Sequence, residues 1–274
     1  RVMGFMQMGF GLSQILGIPI SLYIASKSNW QMPFYMIVCL SLVMFLTILF
    51  GLKPVRAHLD QQTERSAFKH LLATIKNRNY RIGFMATAFM SLGGYFMMPW
   101  GSAFAVNNVG LSQAQLPLLF MVVGISTFMI MPLIGLLADK INKFQLFMGA
   151  SILMIFSVLV YVHLGQTTLF VLILVNIFMM GGIMARMVPS QALTSSVPEI
   201  HDRGAFMSIN SSLQQIAGGI AAIIGGKIVW QQSPSAPLMN FDILGYVVVA
   251  VILVNIYLTH RVYQYVASKN KEAA

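Results

Sequence analysis

Hydrophobic and polar positions in this chain segregate on the scale of whole helices. Two uncharged runs, Val2 to Ser26 and Ser28 to Leu52, hold 25 residues each, which is one bilayer-crossing helix apiece on the length criterion. Ile82 to Ala138 is 57 uncharged residues, enough for two spans, and Asn107-Asn108-Val109-Gly110 supplies turn chemistry near its middle. Phe144 to Ala185, 42 residues, is interrupted at His163-Leu164-Gly165-Gln166-Thr167, so a fifth span ends there and a sixth starts near Thr168 and carries Arg186. Gly204 to Gly226 and Ile243 to His260 give the last two, separated by a loop from Gln231 to Pro237. The expected structure is an all-α membrane protein with eight transmembrane helices.

Composition agrees. Of 274 residues, 57% are hydrophobic and 9% charged, with mean hydropathy +0.77; soluble domains carry about 25% charge, and disorder needs low hydrophobicity. Continuous apolar runs exclude a transmembrane β-barrel, whose strands alternate over about ten residues. The net charge of +10 reflects scarce acids, and the aromatic residues lie inside apolar runs, so nucleic acid is not an expected partner. The lone Cys39 sits mid-run, a packing residue with no disulfide framework or metal site around it. Paired intramembrane acids, a His-Glu-x-x-His pattern and a nucleophile with its base are all missing from the runs, so an enzyme is not expected, and neither metal nor cofactor is implied.

Basic residues fix a topology. Fourteen of the 17 Lys and Arg fall on one face of the alternating connections, against Lys27 and Lys227 on the other. The basic face is the cytoplasmic one, which places both ends of the chain in the cytoplasm. Residue 1 is Arg, with no signal-peptide layout ahead of the first run, and the chain is expected to be a piece of a longer protein. Its organisation divides into spans one and two (1–52), a basic cytoplasmic linker (53–81), a six-span bundle (82–265) and a tail (266–274). The linker carries seven basic and two acidic residues. Its Phe68, Leu71, Leu72 and Ile75 recur at helical spacing, predicting a short amphipathic helix that lies on the membrane surface or packs on the bundle ends.

Shifting the chain by 201 residues aligns Phe5, Met6, Leu12, Gln14, Ile15 and Gly17 with Phe206, Met207, Leu213, Gln215, Ile216 and Gly218. The first and seventh spans run in the same direction, so the repeating unit is a parallel six-span bundle of the kind transporters use. Spans three to eight make one whole unit, and spans one and two close a preceding one.

With these residues the chain resembles the major facilitator superfamily, corresponding to its fifth to twelfth spans. The resemblance rests on the basic linker, on Gly11 to Pro19, and on Gly135-Leu136-Leu137-Ala138-Asp139-Lys140-Ile141-Asn142-Lys143, which keeps the family loop pattern G-x-L-a-D-r-x-G-r except at Asn142. The antiporter pattern g-x-x-x-G-P-x-x-G-G is matched more loosely, Gly17-Ile18-Pro19 having one residue inserted. The resemblance implies a partial major facilitator fold with a complete C-terminal six-helix bundle, in a bacterial inner (plasma) membrane. It also implies secondary active transport by alternating access, with efflux of small, often lipophilic molecules by proton antiport. Import of a sugar or other metabolite is the rival, and a non-transporting scaffold the alternative from another class. No acid lies within any span, so a proton-carrying carboxylate is expected in preceding spans of the same chain.

Candidate functional residues follow. Gln7, Gly11 and Gln14 share one helical face, and the repeat places Ser208, Ser212 and Gln215 equivalently; both stripes line either helix crossings or a substrate path. Gly17 and Pro19 permit bending. By the resemblance Gly135, Asp139, Lys140 and Lys143 form a conformational motif in which Asp139 latches the start of span one, near Arg1 to Gly4; a carboxylate there suits a helix N-terminus, and the alternative is a loop carboxylate paired with Lys140 or Lys143 at little energetic weight. Arg186, about 27 Å along its helix at 1.5 Å per residue, either binds an anionic group or acid, or snorkels to the interface. The 21 Met and 19 Phe suit an adaptable apolar cavity or a lipid-facing surface. Gly93-Gly94-Tyr95 and Pro99-Trp100 are expected to bend the third span.

Overall fold

The computed structural model describes residues 9, 12–51 and 67–272. Among them, ten α-helices follow one another with no strand beyond a single bridge, Trp230 to Met239. The first span is interrupted. A π-turn, Ser13–Gly17, in which the Ile18 amide reaches back to the Ser13 carbonyl, leads into α1 (Ile18–Lys27). Pro19 has no amide hydrogen, so the carbonyl four residues before it loses its helical donor, and local widening of the turn accommodates the loss. The second span is α2 (Met32–Gly51).

No residue of α1 or α2 is buried. Cys39, expected to pack, is exposed, because α2 has α1 as its principal neighbour among the described residues. The first span rests on α6 (Leu116–Lys140).

Helix α3 (Ala67–Lys76) occupies the expected linker, and α4 (Arg78–Tyr95) starts four residues before the uncharged run, where Asn77 caps it by accepting from the Asn79 amide at 3.0 Å. The third span does break where expected. After Tyr95 a 3-10 turn at Met98–Trp100 precedes α5 (Gly101–Asn107), since Pro99 cannot donate to the preceding turn. The bundle continues with α7 (Lys143–Val162), α8 (Leu169–Thr194), α9 (Arg203–Ile228) and α10 (Phe241–Glu272), the last running on through residues 266–272.

Six described helices are long and apolar enough to cross a membrane: Met32–Gly51, Arg78–Asn107, Gln113–Lys140, Lys143–Val162, Leu169–Thr194 and Phe241–Lys269. The other two expected spans are helical but weaker by that measure. The first is broken by its π-turn, and α9, although 26 residues long, is diluted by Ser, Gln and Gly.

Packing pairs α7 with α8 and α10, α4 with α9 and α10, and α6 with α8. At one end of the bundle Phe104 stacks on Phe241 at 4.2 Å and lies 4.9 Å from Tyr161. Towards the other end Phe206 stacks on Phe84 at 4.6 Å and meets Tyr80 edge-on at 5.6 Å. Two glycines allow close approach: a Cβ on Gly218 would stand 3.1 Å from the Tyr95 ring, and one on Gly245 only 2.7 Å from both Val162 methyls. The predicted turn after α5 also ties down the loop before α10. Asn108 donates to the Leu238 carbonyl at 3.0 Å and accepts from its amide at 2.8 Å, while Asn107 donates to the Pro234 carbonyl at 3.2 Å.

Candidate functional site

Helix α9 carries the polar stripe on its outer face. Ser208, Ser212 and Gln215 are all exposed. The Ser208 hydroxyl donates to the Gly204 carbonyl at 3.0 Å and that of Ser212 to the Ser208 carbonyl at 3.1 Å. Each serine proton is thus used within the helix, leaving the oxygen lone pairs as outward acceptors. Met207, Ile216, Ile220 and Ile223 flank the stripe and are also exposed. Asn210, on the inner face of the same helix, is buried, and among the described residues its Oδ1 has no partner. The matching stripe cannot be placed: Gln7 and Gly11 lie outside the described residues, as does the side chain of Gln14.

Arg186 does not snorkel. It is 2% exposed, and its Nε donates to Ser151 Oγ and its Nη2 to Asn255 Oδ1, each at 3.0 Å. The guanidinium sits 5.4 Å from the centre of the Phe147 ring. Ser151 donates onward to the Phe147 carbonyl at 2.7 Å, and Asn255 to the Ala86 carbonyl at 2.7 Å. The cluster joins α4, α7, α8 and α10 without an acid. Arg186 is therefore committed to neighbouring helices, and its length lets the head group reach α7 and α10 while the stem stays packed. Asn255 and Ser151 were not singled out from sequence, although a lone Asn inside the apolar run before His260 is the kind of residue that bonds across helices.

The loop motif lies at the end of α6. Asp139 and Lys140 end α6, both exposed, with Gly135 a turn earlier. The N-terminus of α7 is capped by Asn142, which accepts from the Phe144 amide at 2.9 Å. Asn142 also donates to the Tyr263 hydroxyl at 2.7 Å, which gives the departure from the family glycine a structural role. The segment near Arg1 to Gly4 lies outside the described residues.

A second polar cluster, unforeseen from sequence, joins α3, α4 and the turn before α9. His70 Nε2 lies 2.7 Å from Asp202 Oδ1, Tyr80 donates to Asp202 Oδ2 at 2.7 Å, and the Glu199 amide donates to the Tyr80 hydroxyl at 3.2 Å. Burial pushes the Asp202 carboxyl up, but the hydrogen bonds from Tyr80 and His70 and the proximity of His201 outweigh it and hold the group below its ordinary value. Among the described residues no three acids, histidines or cysteines are grouped as a metal site.

These features define a polytopic α-helical membrane protein with one exposed polar helix edge on a packed bundle. The chain belongs to the Major Facilitator Superfamily, whose profile matches residues 1–259. It is 28% identical over 234 residues to an uncharacterized MFS-type transporter, YbcL, of Bacillus subtilis, covering 81% of this chain and 55% of that protein. It is 27% identical over 131 residues to a citrate-proton symporter of Salmonella typhi, covering 47% of this chain and 30% of that one. The fold is similar to that of the Escherichia coli fucose:proton symporter FucP, with TM-score 0.57 and 14% identity over 84% of this chain and 55% of FucP; the outward conformation of FucP gives 0.56. The chain spans about half the length of the first relative and less of the second. It is a multi-pass integral membrane protein, and its matched relatives are named as transporters.

Proposed function

We propose that the complete protein is a proton-coupled secondary transporter that moves a small molecule by alternating access. The observation that carries this reading is the exposed edge of α9, where Ser208, Ser212 and Gln215 present acceptors and an amide among Met and Ile side chains on a helix of a major facilitator fold. In lipid such groups need partners, and a water-filled path between two bundles supplies them. Proton coupling is supported by two relatives whose names carry it, the citrate and fucose symporters. The basic face is the cytoplasmic one in this reading, and Asp139 contributes to closing that side against the other half of the protein.

Direction divides into two readings. Efflux by antiport is favoured by the Met and Ile flanks, which suit lipophilic molecules; uptake by symport is favoured equally by the named symporters. In this reading Arg186 positions its neighbours, its Nε and Nη2 being given to Ser151 and Asn255. Reconstitution of the complete protein in liposomes with an imposed pH gradient tests the reading, with citrate, fucose and the lipophilic dye ethidium as probes. Solute movement abolished by collapsing the gradient is the expected result, and its sign assigns direction. Absence of both solute movement and solute-induced proton flux across a wider panel would overturn it.

A further inference from the structure

Helix α3 is tied to the bundle by the contact of His70 with Asp202. Thr74 is 2% exposed and donates to the His70 carbonyl at 2.9 Å, and His70 reaches Asp202. Of the stripe expected to lie on the membrane surface or pack on the bundle ends, Leu72 and Ile75 are 41% and 46% exposed, Leu71 is half-buried, and the side chain of Phe68 lies outside the described residues. Among the described side chains of α3 only Thr74 is buried, so charge at the His70 contact has leverage over whether it stays docked.

We propose that His70, together with Asp202 and Tyr80, is a binding site for a regulatory proton that controls the docking of α3 onto the ends of α4 and α9. The His70 side chain is 30% exposed and that of Asp202 15%, so protons reach the imidazole while the pair is shielded from bulk water. Imidazole is the side chain whose charge ordinarily changes between pH 5 and 8, whereas the carboxylate stays ionised there. Protonated His70 faces an anion and clamps α3. After proton loss the coulombic attraction goes, leaving a hydrogen bond in one tautomer only.

The neighbouring charges divide: Glu199 favours a protonated His70 and the cations Lys269, Arg203 and Arg78 oppose it, while Asp202 is in direct contact at 2.7 Å. His201, 3.5 Å from both Asp202 and Glu199, is far more exposed. Lys269 donates to the Val197 and Pro198 carbonyls at 3.1 Å each. Arg203, at the start of α9, and Arg78, at the start of α4, are exposed. In the chain, α3 lies between the first two spans and the six-span bundle, so its release lengthens the tether between them.

Hydrogen exchange on the complete protein tests the site without any substrate, so its outcome is separate from that of the transport reading. After correction for intrinsic rates, amides of residues 71–76 should be about fivefold better protected at pH 6 than at pH 8, as for an ion pair contributing about 1 kcal/mol. His70→Gln should abolish that difference, and His201→Gln should retain it, with amides of Lys143–Val162 reporting that the bundle is intact. Equal protection of the wild type at the two pH values, or an undiminished difference in His70→Gln, would overturn the proposal.

Discussion

Arg186 and Asn255, 69 positions apart, meet at 3.0 Å in the buried middle of the bundle, and the same Asn255 donates to the Ala86 carbonyl at 2.7 Å. One amide thereby satisfies a cation on α8 and a carbonyl on α4. The arrangement sets a ranking. Asn255→Leu leaves the buried guanidinium with Ser151 as its one remaining acceptor of the two and should destabilise by about 2–4 kcal/mol. Arg186→Met removes the charge together with its desolvation cost and should cost less. Ser151→Ala should cost about 0.6–1.7 kcal/mol, the scale of hydrogen bonds between membrane helices. Thermal unfolding of the three variants of the complete protein checks the order; Arg186→Met as the most damaging would show that the charge itself stabilises the bundle.

Gly245 and Val162 are closer than any side chain on Gly245 would allow. Gly245→Ala places its methyl 2.7 Å from both Val162 γ-carbons and should destabilise by about 1–3 kcal/mol. Adding Val162→Ala should restore much of that loss, a non-additivity that a double-mutant cycle measures. Simple addition of the two single effects would mean that the helices separate instead of clashing.

Water access distinguishes a path from a packing stripe on α9. In a Cys39→Ser background, Ser208→Cys and Gln215→Cys should react with a membrane-impermeant maleimide from one side, and Ala217→Cys, only 4% exposed in the wild type, should not. Gln215→Leu should raise KM for the transported solute with little change in folding. Two unreactive cysteines at 208 and 215 in either facing state would make the stripe a helix contact.

Asp139 is exposed at the end of α6 and makes no ion pair with another described residue. Asp139→Asn should leave unfolding unchanged to within about 0.5 kcal/mol while altering the balance of inward- and outward-facing forms, read by interhelix distance measurements. A large fall in stability with an unaltered balance would assign it a structural role alone.

Asp202 carries an acid-side prediction. Its carboxyl is held below the ordinary value in the folded chain, so the stabilisation it gives is present above that ordinary value and lost as pH falls through the depressed one. Melting temperature should therefore drop on acidification more steeply in the wild type than in Asp202→Asn. Parallel curves would mean that Tyr80 and His70 do not favour the ionised form.

Amphipathic patterning set most of the architecture in advance. Charge-free runs long enough for a bilayer fixed where helices form, and Asn107 to Gly110 and Pro99 fixed where they turn or break, because these are local consequences of length, hydrogen-bond donors and backbone freedom. Tertiary contacts decided the rest. Arg186 could equally have faced lipid, solvent or protein on its helix, and only the positions of Ser151 and Asn255 on other helices turned it inward. The linker stripe gave α3 its helix, yet the meeting of His70 with the carboxylate of Asp202, over a hundred residues away, while Leu72 and Ile75 stay exposed, came only with the assembled bundle. Hydropathy is read along one segment at a time, whereas the partner of a polar group is a property of the assembled bundle.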